Sequence, residues 1–290
     1  MEMVKKVSII SLILLTALFS IQCKKKAAVA GVDVSVTFSE DKLSDNLITD
    51  VNYTWKTDDK FVKLGQDFNV FVHFWHKGNL LFSDDHIPEV LTSQWEPNKE
   101  YTYSRRIHIP TFIDEFDPDF KGDETLRLSL GFFSPYDRSG KSKQDILETK
   151  LKVYPPPLDT PEIIYEEGWF DQEINPESFL KQWRWVGKIG RCIIDNPNRD
   201  ALLVIKGGVN LEAFKDQKVI FKINELTLDE FIPSESHFEK SYNIKKEMLG
   251  DGDEFYLTIT TDQTFKPSDI MPNSSDNREL GLQIALIYFR

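Results

Sequence analysis

The chain has 290 residues, with 47 acidic and 35 basic side chains and a formal net charge of −12. So acidic a balance argues against nucleic acid as a partner, because phosphates require a concentrated basic surface. With two cysteines in all, Cys23 and Cys192, a zinc site built on thiolates is excluded.

The first element is a leader. Lys5 and Lys6 precede Val7 to Ile21, an uncharged, mostly apolar run that stops at Gln22-Cys23-Lys24-Lys25-Lys26. Its 15 residues fall short of the roughly 20 needed to span a bilayer, so it reads as a secretory signal, not an anchor helix. A cysteine at its end resembles the bacterial lipoprotein signal, although Ser20 and Gln22 stand where that signal usually carries Leu and Gly or Ala. The resemblance implies residues 1–22 as signal peptide, Cys23 as the lipidated N-terminus, and residues 23–31 as a tether. Lipidation implies a membrane partner through the acyl chains, two or three of which anchor stably where one is marginal. Lys24 stands where an inner-membrane lipoprotein typically has Asp, which favours the outer membrane. Loss of Lys5, Lys6 and Glu2 with the leader moves the net charge to −13.

Between residues 32 and 154 the pattern is alternation. Val32, Val34, Val36 and Phe38 fall on one strand face, and Phe68, Val70, Val72 and Phe74 repeat the spacing. Tyr101 to Ile109, Leu126 to Phe132 and Ile146 to Val153 continue it, with turns at Gly65-Gln66-Asp67, Lys77-Gly78-Asn79 and Ser139-Gly140-Lys141. This is the pattern of an immunoglobulin-like β-sandwich without the inter-sheet disulfide. Pro155, Pro156 and Pro157 then form a stiff linker, and the expected domain boundary lies there. Residues 158–290 read as a second sandwich of jelly-roll, galactose-binding-like type. Its strands are Ala201 to Lys206, Val219 to Ile223, Phe255 to Thr261 and Leu280 to Phe289, and Glu177 to Trp185 is compatible with a helical turn. The fold class is thus all-β, with two sandwiches after a signal.

Chemistry-bearing residues are sparse. His73 and His76, three apart, diverge in a strand and do not form a metal site. The acidic run Asp114-Glu115-Phe116-Asp117-Pro118-Asp119 offers the hard oxygens that calcium prefers, but it follows no fixed loop template, so no cofactor is expected. Cys192, in the strand-like run Arg191 to Ile194, reads as a buried, inert thiol. Hydrolase elbows, phosphate-binding glycine loops and His-Glu-x-x-His are all missing from the sequence.

Tryptophan is the plausible ligand apparatus, since the apolar C–H faces of sugar rings stack on flat aromatic side chains. Trp169, Trp183 and Trp185, with Arg184 and Lys188 beside them, are the candidate ligand-binding residues, and core packing is the competing role for the rings. In an extended segment Trp183 and Trp185 share one face and Arg184 takes the other.

Three stretches in order carry a family likeness: Gly168-Trp169-Phe170, Trp183-Arg184-Trp185-Val186-Gly187-Lys188 and Asn277-Arg278-Glu279-Leu280-Gly281-Leu282, with Phe265-Lys266-Pro267 ahead of the last. Together they resemble the carbohydrate-binding-like sandwich associated with bacterial membrane glycosyltransferases. Asp85-His86-Ile87-Pro88 and Thr92-Ser93-Gln94-Trp95-Glu96-Pro97 resemble an accessory domain of similar proteins. The resemblance implies a non-catalytic cell-envelope lipoprotein that binds glycan or a polysaccharide-associated membrane protein. The alternative is a structural or adhesive scaffold with a protein partner, and a secreted hydrolase is the third and least favoured reading.

Overall fold

The structure, a computed structural model, describes residues 30–290 other than Arg138 and Glu177. The leader, Cys23 and all but the end of the tether lie outside the described residues. The described residues form eighteen strands, numbered in chain order. The first eight are β1 (Val32–Phe38), β2 (Leu43–Ser44), β3 (Leu47–Thr57), β4 (Asn69–His76), β5 (Asn79–Ser83), β6 (Glu100–Ile109), β7 (Glu124–Phe133) and β8 (Gln144–Tyr154). They form a three-stranded sheet, β1-β3-β6, and a five-stranded sheet, β2-β8-β7-β4-β5. The short β2 joins the last strand in parallel, Leu43 opposite Val153, and so carries the chain from one sheet to the other.

Alternation explains the core of this sandwich. Val51, Tyr53 and Trp55 of β3 point inward and meet Val70, Val72 and Phe74 of β4 and Leu126, Leu128 and Leu130 of β7. Trp55 stacks on Phe132 at 4.7 Å, and its Nε1 donates to the Tyr103 hydroxyl at 3.2 Å, so the one polar atom of the ring is satisfied inside the core. The Asp85 to Pro97 motifs have structural jobs here. The Tyr103 hydroxyl lies 2.8 Å from His86 Nε2, Trp95 Nε1 donates to the Val90 carbonyl, and Thr92 Oγ1 accepts from the Phe68 amide.

The remaining strands are β9 (Ile163–Tyr165), β10 (Trp169–Asn175), β11 (Ser178–Val186), β12 (Ile189–Asp195), β13 (Ala201–Gly208), β14 (Val219–Ile223), β15 (Leu226–Phe231), β16 (His237–Ile244), β17 (Glu254–Thr261) and β18 (Leu282–Phe289). Two five-stranded antiparallel sheets result, β10-β11-β18-β13-β16 and β15-β14-β17-β12-β9. The eight strands β11 to β18 divide between the sheets in jelly-roll order: the first pairs with the last, and the last with the third. The helical turn compatible with Glu177 to Trp185 is corrected by this arrangement. Ser178–Val186 is a strand, paired with β10 on one side and β18 on the other, and ladder pairing with aromatic packing outweighs local helix compatibility. Among the described residues helix is confined to single turns, including α1 (Lys246–Leu249) and α2 (Pro267–Ile270).

Among the described residues, no sheet pairs a strand before Pro155 with one after Pro157. The two sandwiches nevertheless touch through their outer faces. Ile48 points away from the core of its own sheet, yet is only 6 % exposed, because it packs on Val204 and Tyr288 of the second sandwich. His108 meets the Tyr288 ring edge-on, Arg106 reaches Ser241, and Arg290 Nη1 donates to Ser44 Oγ at 2.9 Å. The N-terminal sandwich thereby covers one end of the outer face of the β10-β11-β18-β13-β16 sheet and leaves the other end open.

Candidate functional site

The open end of that sheet carries a cleft of about 540 Å³. Its floor comes from the strands: Trp185 of β11, Gln283 of β18, Gly208 of β13 and His237 of β16 lie side by side across the sheet. Gly208 keeps the floor low, since a Cβ there would stand 3.1 Å from the Ser236 carbonyl oxygen and 3.6 Å from Gln283 Oε1. The walls are the loop after β13, which contributes Asn210 and Glu212, and the segment from Phe265 to Leu280 that contains α2.

The register of β11 decides which candidate residues face the cleft. Arg184 lies opposite Ile284 and Trp185 opposite Gln283; Ile284 is buried in the core, so Trp185 is turned outward. Trp185 is half-buried and meets Phe265 edge-on at 5.9 Å. Trp183 shares its face and lies opposite Glu173 of β10, to whose Oε2 its Nε1 donates at 3.0 Å. The two rings thus share one face of the strand and Arg184 takes the other, the arrangement the sequence offers for an extended segment.

The other candidates go elsewhere. Trp169 is a half-buried wedge between the sheets: its Nε1 donates to the Arg191 carbonyl of the opposite sheet at 3.0 Å, and its ring stands edge-on to Tyr165. Arg184, on the far face from Trp185, lies over the Tyr165 ring at 4.6 Å and donates to the Phe170 carbonyl. Lys188 is exposed in the turn between β11 and β12, outside the cleft lining. Of the five proposed ligand residues, Trp185 is the one that lines the cleft, and Trp183 reaches it through Glu173.

The organiser of the cleft is Arg278. Its guanidinium grips Asp276, with Nε 3.0 Å from Oδ1 and Nη2 2.7 Å from Oδ2, and the same Nη2 donates to Glu173 Oε1 at 2.9 Å. It also lies over the Phe170 ring at 5.3 Å. Hydrogen bonds from Arg278 hold the Asp276 carboxyl below its ordinary range, and Arg278 is itself raised by the same contacts. The three stretches singled out in the sequence thus meet in space. Their glycines allow it: Gly187 donates to the Gly168 carbonyl, Gly281 donates to the Val186 carbonyl, and a Cβ on Gly281 would stand 2.4 Å from the Gly187 oxygen.

Glu173, Glu212, Phe265, Asp276 and Arg278 were not singled out as ligand residues from the sequence. Phe265 and Arg278 lie within the distinctive stretches, with no ligand role read for either. Elsewhere, burial pushes the Cys192 thiol up to about 12, as fits a core thiol. The acidic run forms tight turns, with Asp114 and Asp117 accepting the amides of Phe116 and Asp119. His73 and His76 each sit beside a separate carboxylate, Asp85 and Glu124.

No protein-family model matches the chain, and no curated protein matches it in sequence. Among solved structures the chain is similar to a carbohydrate-binding module of the β-sandwich superfamily, at 7% identity over 90% of this chain and 98% of that one, with a TM-score of 0.26. It is similar to SGBP-B from a complex xyloglucan utilization locus in Bacteroides uniformis, at 9% identity over 89% and 72%, TM-score 0.29. It is also similar to the collagen adhesin of S. aureus, at 9% identity over 90% and 95%, TM-score 0.18. At TM-scores this low none of these likenesses bears on fold or function.

Proposed function

We propose that this chain is a cell-envelope lipoprotein that binds glycan, without catalysis, in the cleft floored by Trp185. One observation carries the reading: an outward aromatic ring stands in an open cleft beside polar groups whose positions are fixed by the Arg278–Asp276–Glu173 network. Sugar recognition needs that combination, an apolar face for stacking and oriented donors and acceptors at the rim. The network also argues against a glycosidase pair. Such an enzyme needs a carboxyl raised to act as acid, whereas Asp276 is held down and both Asp276 and Glu173 are engaged by one guanidinium.

The membrane address rests on the leader and Cys23. Replacing Cys23 with Ala is expected to release the protein from membranes, and an unmodified Cys23 in membrane-extracted protein would contradict lipidation. The glycan reading is tested by a glycan array probed with residues 24–290, wild type against Trp185→Ala. Loss of one stacking face is expected to cost about 1–3 kcal/mol of affinity. A folded wild-type chain that binds no glycan but captures an envelope protein would transfer the function to the scaffold alternative.

A further inference from the structure

The charges of the cleft speak to the kind of sugar. Three carboxylates line it, Glu173, Glu212 and Asp276, against one guanidinium, Arg278; with His237 uncharged the formal charge is −2. That guanidinium is already engaged by Asp276 and Glu173. Glu212 is different: it is exposed, and among the described residues nothing pairs with its carboxylate. In the same cleft, the Trp185 and Phe265 rings stand nearly perpendicular, at 82°, and the Phe214 ring lies 6.4 Å from that of Phe265.

Aromatic rings and an unpaired carboxylate lining one cleft make an environment that attracts a cation, because the negative ring faces and the carboxylate act in the same direction. An anionic sugar would meet both with the wrong sign and would find no free cation to offset them. We infer that the cleft, on the glycan reading above, selects sugars carrying a free protonated amino group over their N-acetylated, neutral and carboxylated counterparts.

The test is calorimetric titration of residues 24–290 at near-neutral pH with three probes: the trimer of glucosamine, the trimer of N-acetylglucosamine and the trimer of galacturonic acid. The glucosamine trimer is expected to bind at least about tenfold more tightly than the acetylated one, and the galacturonic acid trimer is expected not to bind. Glu212→Gln, a substitution at an exposed side chain, is expected to erase most of the preference. Raising ionic strength from about 0.01 M to about 0.15 M is expected to reduce it as well. Equal binding of acetylated and free amino sugars, or tighter binding of the galacturonic acid trimer, would overturn the inference and leave the glycan reading standing. A folded chain that binds none of these probes, and nothing on the glycan array, would overturn both.

Discussion

Asp45 and His108 give the fold two opposed pH dependences that single substitutions should separate. Asp45 is 3 % exposed and accepts the Phe112 amide at 2.8 Å. Burial, opposed by the backbone hydrogen bonds, raises its carboxyl from 3.8 to about 6. The folded chain therefore holds this proton more tightly than the unfolded chain does. The stabilisation is complete below pH 3.8 and is lost as pH rises through 6. His108, whose Nε2 lies 2.9 Å from Asn46 Oδ1, is lowered from 6.5 to about 4, chiefly by burial and further by Lys206 of the other sandwich. Its contribution has the opposite sign, complete above 6.5 and lost as pH falls through 4. At about 1.4 kcal/mol per tenfold change in proton affinity, each span is worth on the order of 1–3 kcal/mol. Between pH 4 and 6 the two slopes oppose each other in the wild type. In urea unfolding of residues 30–290, the stability of Asp45→Asn relative to wild type should rise from pH 4 to pH 7 by that amount, and Asp45→Asn alone should weaken on acidification. His108→Asn relative to wild type should gain stability as pH falls from 6.5 toward 4, since it lacks the buried neutral imidazole that resists protonation. A gap between Asp45→Asn and wild type that stays constant across this range would refute the reasoning, because a solvated carboxylate would then have to replace the buried one.

Other outcomes follow from single contacts. Arg278→Gln removes partly exposed ion pairs and should cost less than about 1 kcal/mol in urea unfolding, yet it should abolish ligand binding by releasing Glu173 and Asp276. Gly281→Ala places a Cβ 2.4 Å from the Gly187 carbonyl oxygen and should destabilise the second sandwich by about 1–3 kcal/mol in thermal or urea melts. Cys192, fully buried, should resist alkylation by iodoacetamide in the native protein and react at the rate of unfolding.

Much of the β architecture is legible in the sequence where apolar residues alternate. Val219 to Ile223 coincides with β14, and Lys77-Gly78 does form the turn between β4 and β5, with both residues at positive φ. Strands of charged residues are harder to see. On β16, His237 and Glu239 face outward while Phe238, Lys240 and Tyr242 turn inward, and the Tyr242 hydroxyl and Lys240 both bond Asp229, so polar residues occupy the face where apolar ones are sought. The segment near Trp185 carries Glu and Ser at a helix-like start, and only its pairing with β10 and β18 makes it extended. The site is legible in part for a similar reason. Trp185 stands in the alternating Trp183-Arg184-Trp185, but Glu173, Phe265 and the locally paired Asp276 and Arg278 come from three segments brought together by the long-range order of the sheet. Apart from the Asp276–Arg278 pair, no local spacing reports which of them meet.

The direct test of the cleft is an indole NMR titration of residues 24–290. The chain has six tryptophans, so six side-chain signals are expected, each assigned by substitution. Addition of a bound glycan should shift the Trp185 signal most and Trp183 next, through Glu173. Trp55 and Trp95, in the core of the other sandwich, should stay in place. Saturable glycan binding that leaves Trp185 unmoved would contradict the account and place the ligand elsewhere on the molecule.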